Sequence, residues 1–223
     1  MRALKALDFR ALKRIYGDFV VNGAFNEDPD FALRGFEALE TLDGEAVLRF
    51  SSADLRAFSS LKSVNHLSMS GSVSSFAGFE NLKEIKGVLT FNMLLSPATI
   101  EGFRPDKVWA INLKSLQTLE NLSFLENVTS MYALIIQGGY CLKSLEGLER
   151  LRTLEDELYL TMVGITDLDP LSNLEHVGRA ITLRGNSRLT DFSGLKRCLG
   201  NYTGTWAVQS NGANPTIEEI LNQ

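Results

Sequence analysis

The residues with the clearest potential for chemistry fall in three short segments whose apolar residues alternate with other residues. Ile135 and Gln137 lie in one such segment. Tyr159 and Thr161 lie in the next, and Arg184 ends the third. An aromatic ring beside an aliphatic side chain can stack on an apolar or sugar ring, and the flanking polar groups can form hydrogen bonds. We expect these five residues to bind a ligand; the alternative is that they only keep a sheet surface soluble.

Catalytic chemistry has little support in the sequence. His66 and His176 have no Cys or Asp at metal-site or catalytic-triad spacing. Asp167, Asp169 and Asp191 recur beside apolar positions, but they form no regular motif that would predict calcium turns. No glycine-rich phosphate loop leads from a strand into a helix. The chain is therefore predicted not to be an enzyme, with no catalytic residues, no metal and no cofactor.

The elements that must position the five residues repeat along the chain. Between residues 142 and 160, leucines occupy every third position and then alternate with other residues. A period of three fits a coil wound around a narrow core, and the alternation fits a short strand with one face inward. The middle apolar residues of the runs, taken as anchors, are Phe9, Phe36, Phe58, Phe79, Phe103, Leu122, Leu148, Leu171 and Leu195. Their intervals average about 23 residues, within the range of leucine-rich repeats.

Each anchor is followed by a strand with an inward-facing pair. The predicted pairs are Phe19/Val21, Leu48/Phe50, Leu67/Met69, Leu89/Phe91, Ile111/Leu113, Leu134/Ile136, Leu158/Leu160, Ile181/Leu183 and Trp206/Val208. Nine rungs would share one core and form a long parallel sheet. The prediction is a leucine-rich-repeat solenoid, a β-rich, right-handed, β-helix-like coil in one domain, 1–223. Residues 1–15 form an N-terminal cap or first rung, 16–210 the repeats and 211–223 a C-terminal cap.

The outward residues of these strands should stack into columns. One predicted column is Val20, Arg49, Ser68, Thr90, Asn112, Ile135, Tyr159, Thr182 and Ala207. The next is Asn22, Ser51, Ser70, Asn92, Lys114, Gln137, Thr161, Arg184 and Gln209. The second column is polar but almost uncharged, which favours an extended peptide or a sugar as ligand.

Both ends of a solenoid need a cover. At the C-terminus, Thr216 and Glu219 have the spacing of a capping box that opens a short helix. Its Ile217, Ile220 and Leu221 should lie over the last rung. At the N-terminus, residues 1–15 mix helical and coil spacing, which predicts a short amphipathic cap with a solvated basic face.

Composition excludes some classes of function. The 223 residues are 44% apolar and 22% charged, with a net charge of −5 and no basic cluster beyond the first fourteen residues. A nucleic-acid partner is therefore not expected, because phosphates need concentrated Lys and Arg. No apolar stretch is long enough for a membrane span. The charged start lacks a secretory signal, which fits a cytoplasmic protein or a mature domain whose upstream segments are missing.

The two cysteines are not expected to pair. Cys198 occupies a core position, and Cys141 lies in a turn two rungs away. Rungs stack about 4.8 Å apart, so two rungs exceed the span of a disulfide. We predict two free thiols.

The segments Gly78–Phe91 and Gly147–Leu160 resemble the L domains of insulin- and growth-factor-receptor ectodomains. They are still more similar to the receptor-L-domain-like leucine-rich proteins of gut Bacteroidetes, some of which finish with an ending like Asn214–Leu221. The resemblance implies a secreted or lipid-anchored cell-envelope protein, often with other modules, and any lipid anchor, ahead of the repeats. Receptor L domains carry paired cysteines, which this chain lacks, so a bacterial source is favoured.

The sequence as a whole predicts a recognition module of the cell envelope. It would bind a protein, peptide or glycan on the outer face of its sheet. The alternatives are a rigid structural spacer and an intracellular interaction scaffold.

Overall fold

The computed structural model describes residues 9–22, 35–50, 55–73, 75–95 and 99–223. They form a parallel β-solenoid of about eight turns with few short helices, as predicted. Residues 1–8 of the expected N-terminal cap lie outside the described residues, as does Ser51. Within 9–15 the chain makes a turn and enters a strand, without a helix.

The strands are short, and all pair in parallel. They are β1 Arg14–Ile15, β2 Phe19–Asn22, β3 Thr41–Phe50, β4 Ser63–Ser72, β5 Glu84–Leu95, β6 Lys107–Lys114, β7 Ser130–Met131, β8 Ala133–Gly139, β9 Thr153–Leu154, β10 Glu157–Val163, β11 His176–Val177, β12 Ala180–Arg184 and β13 Thr205–Gln209. Among the described residues, ten strands make the main sheet, in the order β1-β3-β4-β5-β6-β8-β10-β12-β13 with β2 also beside β3. Strands β11, β9 and β7 make a second, three-stranded sheet.

Among the described residues, helix occurs as single turns and near the C-terminus. One-turn 3-10 helices span Arg56–Phe58, Ser123–Leu125, Asp169–Leu171 and Ser193–Leu195, and α-helices span Lys196–Leu199 (α1) and Ile217–Leu221 (α2). The predicted capping box opens α2: the Glu219 amide donates to Thr216 Oγ1 at 3.2 Å, and the Thr216 amide donates to Glu219 Oε2 at 2.8 Å. Ile220 is fully buried, but Leu221 is 43% exposed and does not cover the last rung as expected.

The core changes character along the solenoid. Buried phenylalanines dominate its first half, where Phe36, Phe58, Phe79, Phe103 and Phe124 follow one another with ring centroids 5.8–6.1 Å apart. From the sixth rung onward the anchor positions are filled by fully buried leucines, Leu125, Leu148, Leu171 and Leu195. A single continuous core therefore runs the length of the described residues, aromatic at one end and aliphatic at the other.

Two details of the predicted register are wrong. Val21 pairs with Leu48 and Phe19 with Ala46, so the inward pair of the second rung is Ala46/Leu48 rather than Leu48/Phe50. The outward columns accordingly contain Val47 in place of Arg49, and Arg49 in place of Ser51. The two-residue shift arises because alternate positions are apolar from Ala46 through Phe50, which leaves two registers open.

The anchor of the sixth rung is displaced by one step. The Leu125 amide donates to the Leu122 carbonyl, as the Leu148 amide does to Leu145. Leu125, and not Leu122, is therefore the counterpart of Leu148. With Leu125 as anchor, the intervals on either side of it become nearly equal, as stacking of rungs requires.

Seven successive rungs of the main sheet turn at the same corner. The residue just after the outward polar column has a positive φ in seven successive rungs, at Gly71, Met93, Ser115, Gly138, Met162, Gly185 and Ser210. A left-handed residue bends the chain sharply. The next residue then points inward, and at Asn186 it is a fully buried amide.

Candidate functional site

The five residues predicted to bind a ligand lie together on the outer face of the main sheet. Tyr159 of β10 pairs with Ile135 of β8. Thr161 pairs with Gln137 on one side and with Arg184 of β12 on the other. An apolar pair and a polar row thus form one contiguous patch across three strands, which we name the sheet cluster.

The members of the sheet cluster differ in accessibility. Arg184 is exposed, and Ile135, Gln137 and Tyr159 are half-buried. Thr161 is only 6% exposed. It offers little surface to a ligand, and the accessible part of the cluster is the Ile135–Tyr159 pair with Gln137 and Arg184 at its rim.

An unsatisfied polar group adjoins the cluster. Asn112 of β6 pairs with Ile135 in the outward column. Its Oδ1 atom is buried and accepts no hydrogen bond from the described residues. A buried acceptor without a donor costs about 1–3 kcal/mol, so its presence next to the apolar pair marks this part of the sheet as suboptimal for stability.

A second feature, which the sequence analysis missed, is a stacked pair of exposed aromatic side chains. The rings of Trp109 and Tyr132 lie 4.5 Å apart between centroids with an interplanar angle of 8°. They are 47% and 40% exposed. The pair sits where the chain enters β6 and β8, and the Tyr132 amide donates to the Trp109 carbonyl at 2.5 Å.

The aromatic pair borders a groove of about 490 Å³ at the corner between the two sheets. The charged residues that line the groove are Glu84, Lys86, Asp106, Lys107 and Glu155. No residue of the sheet cluster lines this groove. We name it the corner groove. Trp109 and Tyr132 are 23 residues apart, the length of one rung, so extending the repeat frame beyond the alternating segments would have predicted their stacking.

Three of the charged side chains that line the corner groove lack partners. The side chains of Glu84, Lys107 and Glu155 make no hydrogen bond or ion pair with another described residue, whereas Asp106 Oδ1 accepts a hydrogen bond from Asn127 Nδ2 at 3.1 Å. Elsewhere, charges on neighbouring rungs pair regularly, as Lys62–Glu40, Lys143–Glu120 and Arg152–Glu175 do at 2.6–2.7 Å. The rung spacing that allows those ion pairs is the same at the groove. The spacing therefore does not explain why the groove side chains are unpaired.

The rung after the groove shows what a paired site looks like. Arg179 donates to both oxygens of Asp156 at 2.5 and 3.0 Å and lies 2.9 Å from Glu157. The hydrogen bond from Arg179 lowers the pKa of Asp156. Such a guanidinium is committed to the protein itself and is not available for a ligand.

The residues considered for catalysis have structural positions. His66 Nδ1 accepts the Val88 amide at 3.0 Å, and its ring fills the space that a Cβ on Gly87 would need. Cys198 is buried, which raises the pKa of its thiol to about 11, whereas Cys141 is exposed; both are free thiols. In the described part of the chain, no group of three or more His, Cys, Asp or Glu side chains could hold a metal ion.

The aspartates considered as calcium turns cap the 3-10 turns instead. Asp167 Oδ1 accepts the Asp169 amide at 3.3 Å, and Asp191 Oδ1 accepts the Ser193 amide at 2.8 Å. One rung before Asp167, Ser144 Oγ accepts the Glu146 amide, and two rungs before it Asn121 Oδ1 accepts the Ser123 amide. This turn recurs from rung to rung, but the aspartates themselves do not, because a Ser or Asn serves as well as an Asp. Asp, Asn and Ser can replace one another here because the hydrogen bond only closes a local turn.

Among the described residues, no helix combines the length and apolar character needed to cross a membrane. No protein-family model matches the sequence, and no curated protein matches it significantly.

Proposed function

We propose that the protein is a non-enzymatic recognition module that binds a protein, peptide or glycan across the outer face of its main sheet. The observation that supports this most directly is the register of β8, β10 and β12. It brings Ile135 against Tyr159 and sets Gln137 and Arg184 beside them. An accessible aromatic and aliphatic pair with hydrogen-bonding groups at its rim has the composition of a binding hot spot.

Rigidity favours this role. The strands that carry the cluster are paired on both sides, and their inward residues Leu134, Leu158 and Ile181 are fully buried. Side chains fixed in this way lose little conformational freedom on binding, which lowers the free-energy cost of association.

The unsatisfied Asn112 oxygen supports the same surface. It lies in the outward column next to Ile135 and accepts no hydrogen bond from the described residues. Local departures from full hydrogen bonding are more frequent at functional sites than elsewhere in a protein.

We further propose that the module works at the cell envelope or as a secreted protein. This rests on the resemblance of Gly78–Phe91 and Gly147–Leu160 to receptor-L-domain-like repeat proteins. A cytoplasmic location would accompany the alternative in which the solenoid is an intracellular interaction scaffold.

The test is a binding screen of the immobilised protein against polysaccharides, mucin glycans, matrix proteins and peptide libraries. An Ile135→Ser/Tyr159→Ala double variant should lose the interaction, because it removes the apolar surface but leaves the strand pairing. Val20→Ser is the matched control, since Val20 is 60% exposed in the same column at the far end of the sheet.

Binding that the double variant retains would move recognition to another surface. Absence of binding, with both proteins folded by circular dichroism, would favour the rigid spacer. In that case deleting whole rungs should impair function in the native setting, whereas replacing Tyr159 should not.

A further inference from the structure

We infer that the corner groove is a second binding site, which takes one uncharged pyranose ring of a glycan against the Trp109–Tyr132 pair. This site shares no residue with the sheet cluster and does not depend on the function proposed for it.

The size of the groove sets the size of the ligand. Ligand pockets of proteins typically enclose about 300–1,000 Å³, and the corner groove encloses about 490 Å³. A volume of this order receives a small molecule or one unit of a chain that continues into solvent. It does not match the broad, flat surface that a folded protein partner would cover.

The geometry of the rings sets the shape of the ligand. Trp109 and Tyr132 are stacked face to face, so each covers one face of the other and both leave an outer face and an edge accessible. Parallel rings form one wall, whereas recognition of a quaternary ammonium uses several aromatic walls around the cation. One face of a pyranose carries C–H bonds with slight positive charge, which are attracted to the negative face of an aromatic ring.

The charges set the polarity of the ligand. Three carboxylates, Glu84, Asp106 and Glu155, face two ammonium groups, Lys86 and Lys107. The small excess of negative charge disfavours phosphates, sulfates and uronates. Carboxylates accept hydrogen bonds and ammonium groups donate them, so the two kinds together suit hydroxyl groups, which do both.

The unpaired side chains of Glu84, Lys107 and Glu155 are the independent observation. Glu84 and Lys107 occupy paired positions on neighbouring strands, yet no ion pair joins them, although the rung spacing allows such pairs elsewhere. Their hydrogen-bonding capacity therefore remains available to a ligand at the rim of the groove.

The experiment is isothermal titration of the whole protein with neutral oligosaccharides of glucose, N-acetylglucosamine, xylose, mannose and galactose. At least one of them should bind saturably. Trp109→Ala and Tyr132→Ala should each weaken it at least about tenfold. Tyr140→Ala is the control, because Tyr140 is 67% exposed and does not line the groove. Both groove rings are exposed, so the variants should keep the wild-type circular dichroism and melting temperature.

Three results would overturn the inference. The first is that no neutral oligosaccharide binds up to millimolar concentration. The second is binding that Trp109→Ala leaves unchanged, and the third is stronger binding of sialylated or uronate-containing oligosaccharides than of neutral ones. The Ile135→Ser/Tyr159→Ala variant separates the two proposals, since it should leave binding at the corner groove intact.

Discussion

Replacing Asn186 by alanine should strongly destabilise the protein. Asn186 is fully buried behind the corner that follows β12. Its Oδ1 accepts the Val163 amide at 3.0 Å, and its Nδ2 donates to the Leu160 carbonyl at 3.1 Å. The side chain therefore joins two successive rungs through backbone groups that have no access to water.

The magnitude follows from what the substitution leaves behind. Each buried backbone group without a partner costs about 1–3 kcal/mol, so the two groups together cost about 2–6 kcal/mol. A central value of about 4 kcal/mol corresponds to a decrease of about 8–16 °C in Tm for a chain of this size. The measurement is urea unfolding followed by circular dichroism, with thermal melting as a second probe.

Asn173→Ala provides the matched control. Asn173 also donates through Nδ2 to a carbonyl of the preceding rung, that of Glu149 at 2.8 Å, but it is on the surface. Water replaces that bond, so the loss should stay below about 1 kcal/mol. Equal losses for the two variants would refute the reasoning, because Asn186→Ala leaves two buried groups without partners and Asn173→Ala leaves one group that water can reach.

Three further predictions concern single positions. Gly147→Ala should destabilise by more than about 2 kcal/mol, because φ is +104° and the new Cβ would collide with the Leu122 carbonyl; denaturant unfolding measures this. A thiol reagent should modify exposed Cys141 quickly in the native protein and Cys198 only on unfolding, because Cys198 is buried with a raised pKa. The hydrogen bond from the Ser193 amide lowers the pKa of Asp191, so its stabilising contribution is present above the ordinary aspartate pKa of about 4 and is lost as the pH falls through the lowered value. Melting curves from pH 6 to pH 2 should therefore fall less steeply for Asp191→Asn.

The controls use neighbouring positions of the same kind. Gly138→Ala shares a positive φ, +70°, but its Cβ would meet Ser115 only at 3.6 Å, so it should cost about 1–2 kcal/mol. An equal cost at Gly147 would contradict the collision. Native-state modification of Cys198 at the rate of Cys141 would contradict its burial. Identical acid curves for wild type and Asp191→Asn would show that the Ser193 bond contributes nothing.

The sequence predicts the fold well where its two periods are unambiguous. In β8, β10 and β12 the inward residues are flanked by polar or isolated apolar ones, so alternation defines one register and the cluster lies where it was expected. Ala46, Leu48 and Phe50 are all apolar at alternate positions, so the alternation does not define which two face inward. The predicted register of β3 is therefore wrong by two residues. The run of five apolar residues at period three has Leu122 at its middle, so the sequence pattern predicts Leu122 as the anchor and not Leu125.

The corner groove was missed for a different reason. Trp109 lies near the start of β6 and Tyr132 lies between β7 and β8, outside the segments to which the period of three and the inward pairs were assigned. Their partnership depends on the distance of one rung along the chain, a long-range property that local patterns do not contain. Unpaired charges such as Glu84 are invisible to sequence reasoning altogether, because pairing depends on side-chain reach across rungs.

The change from an aromatic to an aliphatic core limits how such a protein can change its length during evolution. Rungs contact only their neighbours, so duplicating or deleting one unit of about 23 residues preserves the strand register. A copy of a leucine rung inserted within the leucine half would pack against side chains of the same size as its own. A leucine rung placed next to Phe79 or Phe103 would leave a cavity where a phenylalanine ring is missing. The loss of stability would grow with the volume of that cavity. Growth by duplication should therefore proceed within each half, and the junction near Phe124 is where the two kinds of core meet.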